Sequence, residues 1–236
     1  VQSSRVRTIL VVSALCAGSI ACVTPAALAA PFDSQGSSTQ WTPFFDSGSL
    51  KDSGWATCAD PIVVSVDPRA LPKAQQQSAK AAFETSVKNW AAQMGLHFVY
   101  GGVIPVNYND TTDVISPVDG VDRPRHMYIT LLTNEESTYM TDQVVGMAMP
   151  TEILPDNKEI IQAEGAFRTD YVANSTKDQR IALFMHELGH TLGLGHSGSK
   201  GDIMYPIVDK QTTLGPGDIA GIHAVLRPCV TSPTPA

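Results

Sequence analysis

The chain has 236 residues, 16 Lys and Arg against 23 Asp and Glu, 43% hydrophobic and 17% charged residues. That length fits one globular domain with extensions, or two small ones, and the charged fraction falls below the roughly 25% of an average soluble chain, which excludes a disordered polyelectrolyte and a long coiled coil. A net charge of −7 repels a phosphate backbone, so the reading expects no nucleic-acid partner.

Val1 to Arg7 carries two cationic side chains, Thr8 to Cys22 is an almost unbroken apolar run, and Ala27-Leu28-Ala29 supplies small residues where a signal peptidase reads. Residues 1–29 are therefore expected to be a secretory leader. Cleavage after Ala29 is favoured over Ala30, because Pro31 would then directly follow the cut. An uncleaved anchor needs about 20 apolar residues, and Ser13, Gly18, Ser19, Thr24 and Pro25 interrupt the run. Lipidation at Cys22 is opposed by Ser19, which stands where a leucine is usual. The expected location is extracellular, with no membrane contact once the leader is removed.

Residues 30–57 are rich in Ser, Gly and Asp but carry Trp41, Phe44, Phe45 and Trp55. That is too much aromatic surface for a plain linker, so the segment is expected to dock on the domain, and it is a candidate short pro-segment. Residues 58–229 are read as the folded domain and 230–236 as a disordered tail. Cys58 and Cys229 stand near the two ends of that domain. In an exported chain they are expected to pair as one disulfide, the alternative being reactive thiols.

Pro61 to Val66 reads as a strand stopped by Asp67-Pro68. Ala79, Phe83, Val87 and Trp90 recur at three- and four-residue steps and predict a helix. Leu96 to Tyr100 is expected to be a second strand, Val106 to Arg125 a long loop, and His126 to Leu132 a third strand. Val144 to Met149, bounded by Pro150, is a candidate edge strand, and Ile160 to Phe167 a further one. Ser175 and Asp178 have capping-box spacing at the start of the next helix, whose Ile181, Phe184, Met185 and Leu188 can line a core. A last short helix is expected over Ile219 to Leu226, with Asp218 either capping it or supporting the preceding turn.

From His186 the chain reads HELGHTLGLGH. His186 and His190, four apart on a helix, share one face and can chelate one ion. Gly193 can take the positive φ that ends the helix and returns His196 as a third ligand. Three neutral imidazoles with one open position describe a catalytic zinc site, whereas a structural site closes the tetrahedron with a fourth protein ligand. Glu187 beside such a site is the candidate general base, taking a proton from water as the water attacks a carbonyl. His97, His126 and His223 are read as satisfied or exposed side chains.

Through His186 to His196 and the later Met204 the sequence resembles the metzincin metallopeptidases. Ser197 after the third histidine, and Asp202-Ile203-Met204-Tyr205-Pro206, make it most similar to the matrixins. The resemblance covers roughly Asp60 to Leu226. It implies an α+β zincin-like fold with a twisted mixed β-sheet, an active-site helix and a small C-terminal lobe. It also implies a zinc-dependent endopeptidase acting on protein or peptide substrates, here expected to be monomeric. By the same resemblance Met204 forms the Met-turn floor under the metal, Pro206, Ile207 and Val208 wall the pocket for the residue after the scissile bond, and Val145 to Met149, including Met147 and Ala148, is the edge strand on which substrate lies. Taken alone, Met147 reads as core packing. The chain departs from the pattern in three places. Pro206 stands where the tyrosine ligand of astacins and serralysins would be, no cysteine-switch sequence precedes the domain, and Met149 to Asp170 lacks a clear match to a second zinc site or Gly-rich calcium loop. Asp and Asn residues between Asn107 and Asp122 are a candidate calcium set, although they lack EF-hand spacing and such runs are more often a solvated loop. The competing reading is a zinc-stabilised extracellular binding or adhesion module that does not cut.

Overall fold

The computed structural model of the protein describes residues 6–7, 27–28, 41–57, 60–112, 114–121, 123–141 and 143–229. The expected leader, the disordered tail and Cys58 lie mostly or wholly outside the described residues. No described helix is long and apolar enough to cross a membrane.

The first long strand, β3 (Ile62–Asp67), is buried along almost all its length, as a strand covered on both faces must be. It pairs in parallel with β4 (Phe98–Tyr100) on one side and β7 (His126–Leu132) on the other. β7 is parallel to β9 (Glu159–Arg168), and β8 (Gly146–Leu154) closes the run antiparallel to β9. The spatial order is β1-β8-β9-β7-β3-β4, where β1 is the two-residue strand Val6–Arg7 lying against Ile153 and Glu152. A second short strand, β2 (Ala27–Leu28), pairs with β10 (Ile207–Val208). The sheet is thus mixed, as expected from the resemblance, and mostly parallel.

Side-chain alternation sorts the two layers. Met127, Ile129 and Leu131 of β7 join the main core beneath the helices, while Tyr128 and Leu132 face a smaller cluster with Ile115, Met140, Met147 and Ala166. That alternation is the period-2 geometry of a strand buried on both sides. Over the main core lies α1 (Lys73–Met94), whose buried Ala79, Ala82, Phe83, Ser86, Trp90 and Met94 form one stripe. It ends at Gly95, which adopts the left-handed conformation that a helix C-terminus favours. α1 packs along α3 (Lys177–Thr191), tied by Trp90 Nε1 donating to Met185 O at 2.9 Å and Ser86 Oγ to Ile181 O at 3.1 Å.

Several boundaries differ from the expectations. The loop expected over 106–125 contains a hairpin, β5 (Val106–Asn109) and β6 (Val114–Pro117). β8 does not stop at Pro150 but runs to Leu154, with register shifts at Pro150 and Glu152, because proline is tolerated in an edge strand at a bulge. A short helix, α2 (Thr169–Asn174), precedes α3. The capping box of α3 sits one residue later than expected: Thr176 Oγ1 accepts from Gln179 N, and Gln179 Oε1 accepts from Thr176 N at 3.0 Å. Ser175 instead closes α2, its hydroxyl donating to Tyr171 O. The last helix, α4 (Pro216–Val225), starts earlier than expected, with proline in its first turn.

Residues 41–57, expected to precede the domain, are packed into it. Trp55 and Ala56 are fully buried, and Trp55 Nε1 donates to Thr191 O at 2.9 Å. Gly54 N donates to Lys158 O and Ile160 N to Gly54 O, while Thr57 N donates to Arg227 O at 2.9 Å.

Candidate metal and catalytic site

α3 runs beneath the sheet and carries two of the three histidines one turn apart on its buried face. Its end is set by Gly193, at φ +102°, where a Cβ would also collide with the Ser53 carbonyl. Only glycine meets both demands. The chain turns there and returns His196 toward the helix, as expected from the glycine's position. Ring centroids of the three histidines are 4.9, 5.0 and 5.4 Å apart, and one nitrogen from each lies within 4.8 Å of the other two. Among the described residues this is the one group of three or more His, Cys, Asp or Glu side chains close enough to share an ion.

The imidazoles are oriented by the backbone. His186 Nδ1 donates to Ile203 O and His190 Nδ1 to Leu194 O, both at 2.8 Å. A carbonyl oxygen only accepts, so these bonds fix the proton on Nδ1 and leave the Nε2 lone pair for a metal. Burial pushes His186 down to about 3 and His190 well below the ordinary imidazole range, with the neighbouring histidines adding to both shifts. Neutral rings are the form that ligates. His186 Nε2 is buried without a hydrogen-bond partner, which an ion at the centre of the triad would satisfy. The donor set therefore fits zinc.

Glu187 is 1% exposed, and neither of its oxygens has a hydrogen-bond partner. Burial pushes its carboxyl up to about 8. It lies against Gly146 at the start of β8, where a Cβ would collide with the carboxylate, 2.4 Å from Oε1. Gly146 escaped the sequence reading, although glycine inside a strand signals close approach of another group.

The floor of the site is clamped from below. Asp218, 1% exposed, accepts from Ile203 N at 2.6 Å, Met204 N at 3.0 Å and Gly215 N at 2.8 Å. It thus caps α4 and supports the turn before it, which joins the two roles expected for it. Met204 is buried, with its thioether against Gly189 of α3. Asp202, which the sequence offered only as the first residue of the Met-turn match, accepts from Ser197 Oγ at 2.5 Å and from Gly217 N at 2.9 Å. It ties the residue after the third histidine to the C-terminal helix.

The expected substrate residues divide. Val208 is buried and Ile207 is 42% exposed, and both line a cavity of about 100 Å³ with Ala182, Ile203, Lys200, Asp209 and Gln211. Pro206 is half-buried beside them and is not among the lining residues. Met147 is buried in the small cluster with Tyr128 and Leu132, so its side chain belongs to packing, and Ala148 is buried in the same strand. Of the other histidines, His97 and His223 are exposed, and His126 is buried with Nε2 2.9 Å from Ser65 Oγ. Around the candidate calcium loop, Asp119 pairs with Arg123 and Asp110 accepts from Thr138 N at 2.6 Å, while Asp113 and Asp122 lie outside the described residues.

A parallel-rich sheet over a helix that presents two histidines, with a third returned by a glycine turn above a buried methionine, is consistent with a zincin-like fold of the metzincin type. The family model for matrixins (Peptidase M10) matches residues 133–226, from the end of β7 to the end of α4. Over that segment the chain is similar to the matrixins, which supports a zinc metallopeptidase in general class. No curated protein matches it.

Proposed function

We propose that the protein is an exported, zinc-dependent endopeptidase in which Glu187 is the general base and His186, His190 and His196 hold the metal. One observation carries this reading: a buried carboxylate with no hydrogen-bond partner sits beside three histidines whose ligating nitrogens converge. A purely structural zinc site has no use for such a carboxylate. Zinc bound there supplies Lewis acidity toward a carbonyl oxygen and toward water.

The protein's own residues then divide the work. Glu187 takes a proton from water as the water oxygen bonds to the scissile carbonyl carbon. It returns that proton to the amine nitrogen as the C–N bond breaks. Burial raises its affinity for a proton, and a dication held by the three histidines would draw it back toward the ionised form that can accept one. Residues 146–150 of β8 have no strand partner on their outer edge among the described residues, which supports extended binding of a substrate backbone there. Ile207 and Val208 border the small cavity that would receive the side chain after the scissile bond.

Export follows from the composition of residues 1–29. Pairing of Cys58 with Cys229 is supported by the parallel bridge of Ala56 to Arg227, which brings the chain beside each cysteine together.

The test is cleavage of casein by zinc-loaded protein starting at Ala30, with and without a zinc chelator. Chelator-sensitive cleavage is expected. Zinc-loaded protein that leaves casein and a varied peptide library intact would overturn the peptidase reading in favour of a binding module.

A further inference from the structure

The segment Trp41–Phe44 lies against the loop that carries the third histidine. Phe44 N donates to Gly193 O and Gly195 N donates to Thr42 O, both at 2.8 Å, and Pro43 bridges Leu194 in antiparallel fashion. Thr42 Oγ1 donates to the carbonyl oxygen of His196 at 2.7 Å. The Phe44 ring meets the His190 ring edge-on at 5.7 Å between centroids. A Cβ at Gly195 would stand 2.6 Å from Thr42 Oγ1 and 2.7 Å from Pro43 O, so the loop and the segment fit without room for a side chain between them. Trp41 extends the contact to Gly221 of α4.

These contacts have one geometric result. Leu194 O is the acceptor that orients His190, and His196 O is the acceptor for Thr42. The residues that aim the second histidine and carry the third therefore sit in a single short ladder whose other side is Thr42 to Phe44. Residues 193–196 belong to no helix or long strand of their own. A loop so placed gains its fixed shape from whatever pairs with it.

We propose that Trp41–Phe44 is a positioning strut for the metal site, with Thr42 as its main contact, and that it holds the His196 loop in ligating geometry rather than blocking the cleft. This rests on the zinc reading above. It assigns the segment a sign opposite to that of an inhibitory pro-segment: weakening the contact should lower metal affinity, and it should not raise activity.

The experiment measures zinc affinity of the protein from Ala30 onward by competition with a chromophoric chelator, together with the visible d–d spectrum of the cobalt(II) form. Thr42→Val keeps the side-chain shape but removes the donor to His196 O. It is expected to weaken zinc binding about three- to tenfold, the usual worth of one neutral hydrogen bond, and to alter the cobalt spectrum. Thr42→Ser restores the hydroxyl and should restore both. Phe44→Ala, which removes the ring against His190, should weaken binding independently. Thermal unfolding of the metal-free proteins checks that the fold is intact. Wild-type zinc affinity and an unchanged cobalt spectrum in both Thr42→Val and Phe44→Ala would overturn the strut, as would faster peptide cleavage by either variant. Wild-type protein that binds no zinc would instead sink the metal reading, and the strut with it.

Discussion

Gly146 lies so close to the Glu187 carboxylate that an added methyl group would stand only 2.4 Å from its Oε1 and 2.7 Å from its carboxyl carbon. The strand expected to hold substrate and the residue expected to move the proton are thereby built against each other. Gly146→Ala should therefore displace Glu187 without touching the histidines. A shift of about 1 Å at a catalytic group costs on the order of 100-fold in rate. The expected outcome is retention of one zinc per chain with a kcat on casein-derived peptides reduced by about that factor, measured beside metal content by atomic emission.

Glu187→Gln conserves shape and removes the base. General-base catalysis contributes about 10²–10⁴-fold, so turnover should fall within that range while zinc stays bound. Rates within threefold of the parent protein would remove Glu187 from the proton-transfer role.

Asp218 holds three buried backbone donors at once. Asp218→Ala leaves them without an acceptor, and each buried unsatisfied group costs about 1–3 kcal/mol. Urea unfolding should show a loss of at least about 3 kcal/mol. Asp218→Asn, which keeps one acceptor oxygen, should fall between the two. Equal midpoints for Asp218→Ala and the parent would show that the turn beneath the metal stands without this clamp.

His126 gives a stability prediction with a defined sign. Its ring is buried and stacked on Tyr128 with centroids 4.5 Å apart. Burial, and then the positive charge of Arg123, push its pKa from 6.5 down to about 4. The unfolded chain takes up a proton as pH falls through about 6.5, and the folded chain does not until about 4, so stability is full above pH 6.5 and declines between those values. The loss attributable to this residue is on the order of 3 kcal/mol. His126→Gln should flatten the dependence of the urea midpoint on pH over that interval. An unchanged slope would assign the acid sensitivity to other groups.

What was legible in the sequence was mostly local. HELGHTLGLGH carries its geometry in its spacing, because helical periodicity and one glycine decide where three rings point. The run His126 to Leu132 likewise matched β7 residue for residue, since a strand covered on both faces stands out as a nearly continuous apolar stretch. The features that escaped depend on partners far along the chain. Gly146 could be flagged as an oddity in a strand, but only the sheet order brings it to Glu187. The aromatics of residues 41–57 announced burial, yet nothing in their neighbourhood says that they face residues 193–196 and Arg227. The α3 cap was misplaced by one residue for a chemical reason: Ser175-Thr176-Lys177-Asp178-Gln179 offers two candidate pairs, and the longer Gln179 side chain reaches back to its partner's backbone. The hairpin of β5 and β6 was hidden by short strands whose polar residues read as a loop.

Thr57 and Arg227 are hydrogen-bonded across a separation of 170 positions. Residue 227 must therefore be synthesised before residue 57 can take its seat. Such long-range closure slows folding.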